Sequence, residues 1–76
     1  MNSTIRKINQ WFRDATRADV NWLLSKIILS ERQTMIFDMF YIKRQNIDFI
    51  ADSLYMSSSA VKEELKTIRH KIEYFI

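Results

Sequence analysis

The chain contains neither glycine nor proline among its 76 residues. Tight turns between strands depend on residues that adopt positive φ, above all glycine. The interior of a helix, by contrast, excludes proline at about 3 kcal/mol and glycine at about 1 kcal/mol. The absence of both residues therefore favours helices joined by short connections. We predict an all-α fold, a compact bundle of about five helices.

The chain also lacks cysteine and has a single histidine, His70. Disulfides, thiolate metal sites and clusters of histidine ligands are therefore excluded, as is a glycine-rich phosphate loop. His70 has no spaced partner that would make it a catalytic base, and the serines at 57–59 are better explained by helix capping than by nucleophilic chemistry. We expect no enzyme activity, no cofactor and no bound metal.

Long apolar runs are missing too. The longest, WLLSKIIL, is broken by Ser25 and Lys26 and is far shorter than the roughly 18 residues that a membrane span needs. The N-terminal residues have no apolar stretch typical of a signal peptide. We expect a soluble, cytoplasmic protein that makes one domain over residues 1–76, with N-terminal helices in 1–29 and a second part in 30–76.

Four short patterns predict where helices begin. Thr16 with Asp19, and Ser30 with Gln33, have the spacing of a capping box, and Asn46 and Ser57 are good N-cap residues. Helical periodicity then predicts buried faces. These faces comprise Ile5, Ile8, Phe12 and Ala15; Val20, Leu23, Leu24, Ile27 and Ile28; some of Met35, Ile36, Met39, Phe40 and Ile42; Ile47, Ile50, Ala51 and Leu54; and Val61, Leu65, Ile68 and Ile72.

The segment from Leu29 to Ile72 resembles the fourth region of bacterial sigma factors. The resemblance rests on the opening Leu29-Ser30-Glu31-Arg32, on Ile50-Ala51, Leu54, Met56-Ser57 and Val61-Lys62, and on the apolar positions Leu65, Ile68 and Ile72. LuxR-type DNA-binding domains share the core of this pattern, including the aromatic in Leu54-Tyr55-Met56-Ser57. The resemblance implies a C-terminal helix-turn-helix in which Ala51 lies where the two helices cross, with a recognition helix that starts near Ser57.

Three positions depart from the family pattern. The family usually has glycine where this chain has Tyr55 in the turn and Arg44 between the first two helices of the motif. A left-handed Tyr55 would carry backbone strain, and Arg44 suggests a slightly different connection. Phe49 stands where the family carries a polar, solvent-facing residue. It is either a contact point for a partner or packed against the N-terminal helices.

A recognition helix presents its N-terminal outward residues to base edges in the major groove. We therefore expect double-stranded DNA as the partner. The predicted DNA-binding residues are Ser57, Ser58, Ser59, Lys62, Glu63, Lys66 and Arg69. Among them, Glu63 could accept a hydrogen bond from a cytosine amino group, and Lys62 and Lys66 could contact phosphates or bases; surface solvation is the alternative for each of the three.

The charge distribution leaves two functional hypotheses open. Residues 1–30 contain five basic and two acidic residues, whereas residues 31–76 contain seven of each. DNA affinity depends on the neutralisation of phosphates by basic residues. The first hypothesis is a small stand-alone transcriptional regulator, encoded by a phage or mobile element and acting as a homodimer through Ile72, Tyr74, Phe75 and Ile76 or the N-terminal helices. The alternative is a protein-binding adaptor that engages RNA polymerase or another regulator; the near-neutral second half and Phe49 favour it.

Overall fold

The computed structural model describes residues 3–76 and contains five α-helices. They are α1 (Ser3–Asp14), α2 (Arg17–Lys26), α3 (Glu31–Phe37), α4 (Ile47–Ser53) and α5 (Ser58–Glu73). No strand occurs in these residues, so the prediction of an all-α fold with about five helices is confirmed. Over the same range, no helix is both long enough and apolar enough to cross a lipid bilayer.

The predicted helix starts are confirmed by their hydrogen bonds. Thr16 accepts from the Asp19 backbone N–H while the Asp19 side chain accepts from the Thr16 N–H, a complete capping box at the start of α2. Ser30 and Gln33 form the same reciprocal pair at α3. Asn46 Oδ1 accepts from the Phe49 N–H at 2.8 Å, which caps α4. Because each cap satisfies backbone donors that have no partner inside the helix, these short helices begin at defined residues.

A π-helical segment, Asp38–Ile42, continues α3 directly and changes its buried face. The Lys43 N–H bonds the Asp38 carbonyl at 2.9 Å, five residues back instead of four. Tyr41 is the buried residue of this segment and lies in the core with Ile36 and Phe37 of α3, while Met35 and Ile42 are 46% and 44% exposed. The predicted faces did not include either Phe37 or Tyr41. For Tyr41 the reason is the π-turn, which has more residues per turn and so shifts which side chains share a face.

Two residues other than glycine adopt left-handed backbone conformations, and both follow a helix end. Arg44 has φ 59° and Tyr55 has φ 55°, and no other non-glycine residue of the described chain has positive φ. After α4, the N–H of Met56 bonds the Ala51 carbonyl at 2.9 Å and the N–H of Tyr55 bonds the Asp52 carbonyl at 3.4 Å. This is the Schellman pattern, which satisfies the last helical carbonyls at the expense of one left-handed residue.

Contacts divide the chain into two units. Unit 1 contains residues 1–28 and 69–76, of which 3–28 and 69–76 are described, and unit 2 contains residues 29–68. The sequence interpretation drew its internal division after residue 29 and assigned residues 30–76 to one part. In the structure, α5 runs through the second unit boundary without a break, and its last turn belongs to unit 1.

The core of unit 1 is built from the inner faces of α1 and α2 and the end of α5. Its buried side chains are Ile8, Phe12, Leu23, Ile27 and Ile72. The prediction that Ile5 and Ile28 are buried is wrong, because Ile28 is 86% exposed and Ile5 is 37% exposed. Ile28 lies beyond the C-cap of α2, where Ile27 has already turned to an extended conformation, so the helical period no longer applies to it.

The core of unit 2 draws on α3, the π-helical segment, α4 and the first part of α5. Its buried side chains are Ile36, Phe37, Tyr41, Ile50, Ala51, Val61, Leu65 and Ile68. The Phe37 and Tyr41 rings lie 5.5 Å apart in a tilted arrangement. The predicted stripe along α5 is confirmed, because Val61, Leu65 and Ile68 are at most 1% exposed, as is Ile72 in unit 1.

Candidate nucleic-acid interface

Helix α5 separates a buried stripe from an exposed face. Successive residues are rotated by about 100° around a helix, so side chains opposite the stripe of Val61 and Leu65 share the outer side. Four predicted site residues are exposed there, and we call them the α5 outer face: Ser59, Lys62, Glu63 and Lys66. Lys62 and Lys66 are one turn apart, about 6 Å along the axis. The helix therefore brings together the residues that sequence spacing had grouped.

The other predicted site residues have structural partners or lie elsewhere. Ser57 Oγ accepts from the Ala60 N–H at 3.1 Å and caps α5, as predicted. Ser58 Oγ donates to Asp48 Oδ1 at 2.7 Å, which links the start of α5 to the start of α4. Arg69 is half-buried and belongs to unit 1. Fewer of the predicted residues are therefore available to a ligand on unit 2 than the sequence indicated.

Asp48 is a residue near this face that sequence reasoning missed. Its carboxylate lies at the first turn of α5, where the partial positive charge of the helix end stabilises an anion. A phosphate group approaching the same turn would meet that carboxylate. Asp48 and Ser58 are ten residues apart in the chain, and no local pattern links them, so only the tertiary structure reveals the pair.

The two glutamates of α5 differ in their surroundings. Glu64 Oε1 accepts from Gln33 Nε2 at 3.1 Å in a partly buried contact, so this carboxylate is directed towards α3. Glu63 is exposed on the α5 outer face. Of the two, Glu63 is the one placed to reach a ligand. The α5 outer face therefore carries two ammonium groups and one carboxylate.

Net charge differs strongly between the units. Unit 1 has seven basic and three acidic residues, net +4, whereas unit 2 has five basic and six acidic residues, net −1. A polyanion is attracted by summed charge as well as by local contacts. Unit 2, which carries the α5 outer face, therefore offers little non-specific attraction to nucleic acid.

Phe49 projects from α4 with 51% of its side chain exposed, between the exposed Asp48 and Asp52. About half of the ring is therefore accessible for the partner contact that the sequence analysis considered. Within residues 3–76, no group of three or more His, Cys, Asp or Glu side chains is arranged to hold a metal ion.

Compared with known proteins, the chain matches no protein-family model, no curated protein and no solved structure.

Proposed function

We propose that this protein is a small DNA-binding transcriptional regulator, acting in the cytoplasm, that uses α4 and α5 as a helix-turn-helix and reads the major groove with α5. The observation that carries this proposal is the α5 outer face. Ser59, Lys62, Glu63 and Lys66 are all exposed in the first three turns of a capped helix that follows α4 after a four-residue connection. Side chains in this position are those that a recognition helix presents to base edges.

The two left-handed residues support the same proposal. Arg44 and Tyr55 are the positions at which the sigma-factor pattern has glycine, and they are the two non-glycine residues of the described chain with positive φ. Glycine is preferred where the backbone is left-handed. Left-handed backbone at both positions is the conformation for which glycine would be suited, and this supports the proposed resemblance. The backbone geometry supports the helix-turn-helix fold, and the α5 outer face supports the proposal that this fold binds DNA.

The charges predict how such a protein binds. With net −1 on unit 2 and Asp48 beside the start of α5, few phosphates can be neutralised by this unit. We expect non-specific affinity at the weak end of the usual range, a Kd on the order of 10⁻⁴ M at physiological salt. Two copies on paired half-sites would raise the affinity, as in other helix-turn-helix proteins.

The decisive experiment compares two variants with the same change of charge. Binding to a labelled random-sequence duplex pool is measured by fluorescence anisotropy at about 50 and 200 mM salt. Lys62→Ala/Lys66→Ala removes both ammonium groups of the α5 outer face, and we expect at least a tenfold loss of affinity and a shallower salt dependence. Arg32→Ala/Lys43→Ala removes two exposed cations of unit 2 outside α5 and should cost less than threefold.

Circular dichroism of both variants checks that the helices remain intact. If the two variants lose the same affinity, DNA is attracted by overall charge and α5 does not read it. If the wild-type protein does not bind at 50 mM salt, the DNA-binding proposal fails.

A second candidate is a protein-binding adaptor, and Phe49 favours it. Aromatic side chains, phenylalanine among them, are enriched in protein interfaces, and the Phe49 ring is half exposed. The adaptor would bind bacterial RNA polymerase, and Phe49→Ser should abolish that binding, measured by surface plasmon resonance. Ile42→Ser, which removes a similarly exposed apolar side chain from the π-helical segment, is the matched control. Equal affinity of the wild-type and Phe49→Ser proteins for polymerase would exclude this surface.

A further inference from the structure

Unit 1 contains a groove whose lining combines apolar side chains with cations. It runs along the end of α5 and the residues after α2, with a volume of about 440 Å³, a size that suits small ligands or a few side chains. We call it the C-terminal groove. The lining residues used below are Ile28, Tyr74 and Phe75, which are apolar, and Lys26, His70 and Lys71, which are basic.

The apolar side chains of this groove are unusually exposed for their type. Ile28 is 86% exposed, Tyr74 is 83% exposed and Phe75 is 36% exposed. The Tyr74 and Phe75 rings meet edge to face, with centroids 5.0 Å apart. Isolated exposed apolar residues are common, but several that line one groove mark an interaction surface.

The charges of the groove indicate what kind of partner covers it. Its charged and titratable lining residues are Lys26, His70 and Lys71, and no carboxylate lines it. Lys71 Nζ donates to the Ile28 carbonyl at 2.6 Å, which holds its ammonium group at the groove. The carboxylate of Glu73 instead accepts from Thr4 Oγ1 at 2.6 Å. The lining therefore has one sign of charge, because the neighbouring carboxylate is directed elsewhere.

A comparison within unit 1 shows that this pattern is not general. A second groove, lined in part by Lys7 and Trp11, also contains Asp14 and Asp19, so both signs of charge are present there. Of these two grooves, the C-terminal groove is the one whose lining combines exposed apolar side chains with basic residues and no carboxylate.

We propose that the C-terminal groove binds an acidic peptide segment of another protein, one in which apolar side chains alternate with aspartate or glutamate. The apolar side chains would bury Ile28, Tyr74 and Phe75, and the carboxylates would lie against the cations of the rim. A second copy of this chain fits less well, since it would place a unit of net +4 against another of net +4. Duplex DNA fits less well too, because its bases are stacked inside and its outward phosphates would leave the apolar side chains exposed.

The test selects peptides with the intact chain as bait. A display library of random 12-residue peptides is selected against the wild-type protein, and the enriched sequence is synthesised with a fluorescent label. We expect the enriched peptides to combine acidic with leucine or aromatic residues. In anisotropy titrations, Lys26→Glu and Ile28→Ser should each weaken binding at least tenfold, whereas Lys7→Glu, with the same change of charge outside the groove, should weaken it less than threefold.

This proposal does not rest on the DNA-binding function, and their failures are distinguishable, since Lys62→Ala/Lys66→Ala should leave peptide binding unchanged. Three results would overturn it. The first is enrichment of no peptide, or of peptides without acidic residues. The second is self-association in sedimentation that Ile28→Ser abolishes, which would make the occupant a second copy. The third is duplex binding weakened by Lys26→Glu in the absence of peptide binding, which would make the occupant nucleic acid.

Discussion

Tyr55 is the residue whose conformation is least expected from its type. Its φ of 55° is left-handed, which costs a residue with a Cβ roughly 1–2 kcal/mol, and its side chain is 97% exposed. The Schellman hydrogen bonds at the end of α4 require this conformation, so the backbone of the turn outweighs the preference of the side chain.

Tyr55→Gly should therefore stabilise the protein. The relieved strain exceeds the entropy that glycine adds to the unfolded chain, and we expect a net gain of about 0.5–1 kcal/mol in the free energy of unfolding. Chemical denaturation followed by circular dichroism measures it. Tyr74→Gly is the matched control, because Tyr74 is an exposed tyrosine without positive φ. It should lose stability, and a loss at both sites would show that Tyr55 is not strained.

Helix α5 is the element on which both the core and the candidate interface depend. Its buried stripe continues into both units, its outer face carries the lysines, and its start is fixed by Ser57. The three consecutive serines at the start of α5 therefore have different roles, which depend on their positions in the first turn. Ser57 caps the helix, Ser58 bonds Asp48, and Ser59 lies on the exposed face.

Ser57→Ala and Ser59→Ala should differ in their effect on stability. Loss of the cap at Ser57 is expected to cost about 1 kcal/mol of stability, with DNA affinity reduced only as far as the helix start frays. Ser59→Ala should change stability by less than about 0.5 kcal/mol, since alanine suits a helix interior. Thermal unfolding measures both. Equal losses of stability in the two variants would mean that the Ser57 cap does not stabilise the start of α5.

At the scale of the whole molecule, the two units share α5. Leu65 is buried in unit 2 and Ile72 in unit 1, and the helix between them is continuous. If one unit unfolds, one end of α5 therefore loses the residues that pack against it, while the other end still contributes to the core of the other unit. Both tryptophans, Trp11 and Trp22, lie in unit 1, so their fluorescence reports on that unit while circular dichroism reports on all helices.

We expect one cooperative unfolding transition with the same midpoint by both probes. Ile8→Val in unit 1 and Ile36→Val in unit 2 each remove a methyl group from a fully buried side chain. Each should cost about 0.5–1.5 kcal/mol and should shift both probes together. A shift of the fluorescence midpoint alone in Ile8→Val would show that the units unfold separately.

The sequence by itself determined the helices. The lack of glycine and proline predicted an all-α chain, and caps at Thr16, Ser30, Asn46 and Ser57 predicted where four helices begin, because capping involves residues only three apart. The stripe of Val61, Leu65, Ile68 and Ile72 and the common face of Lys62 and Lys66 followed from helical period alone. Each of these features is local, so neighbouring residues contain the information.

The tertiary structure decided everything that depends on contacts between distant residues. Asp48 accepts a hydrogen bond from the Ser58 hydroxyl, ten residues away, and Glu64 accepts one from Gln33, 31 residues away. The end of α5 joined unit 1, where Glu73 bonds Thr4, 69 residues away, and left a groove with positive charge alone. No period or spacing describes such contacts, because they arise only when separate elements pack and their side chains compete for the same partners.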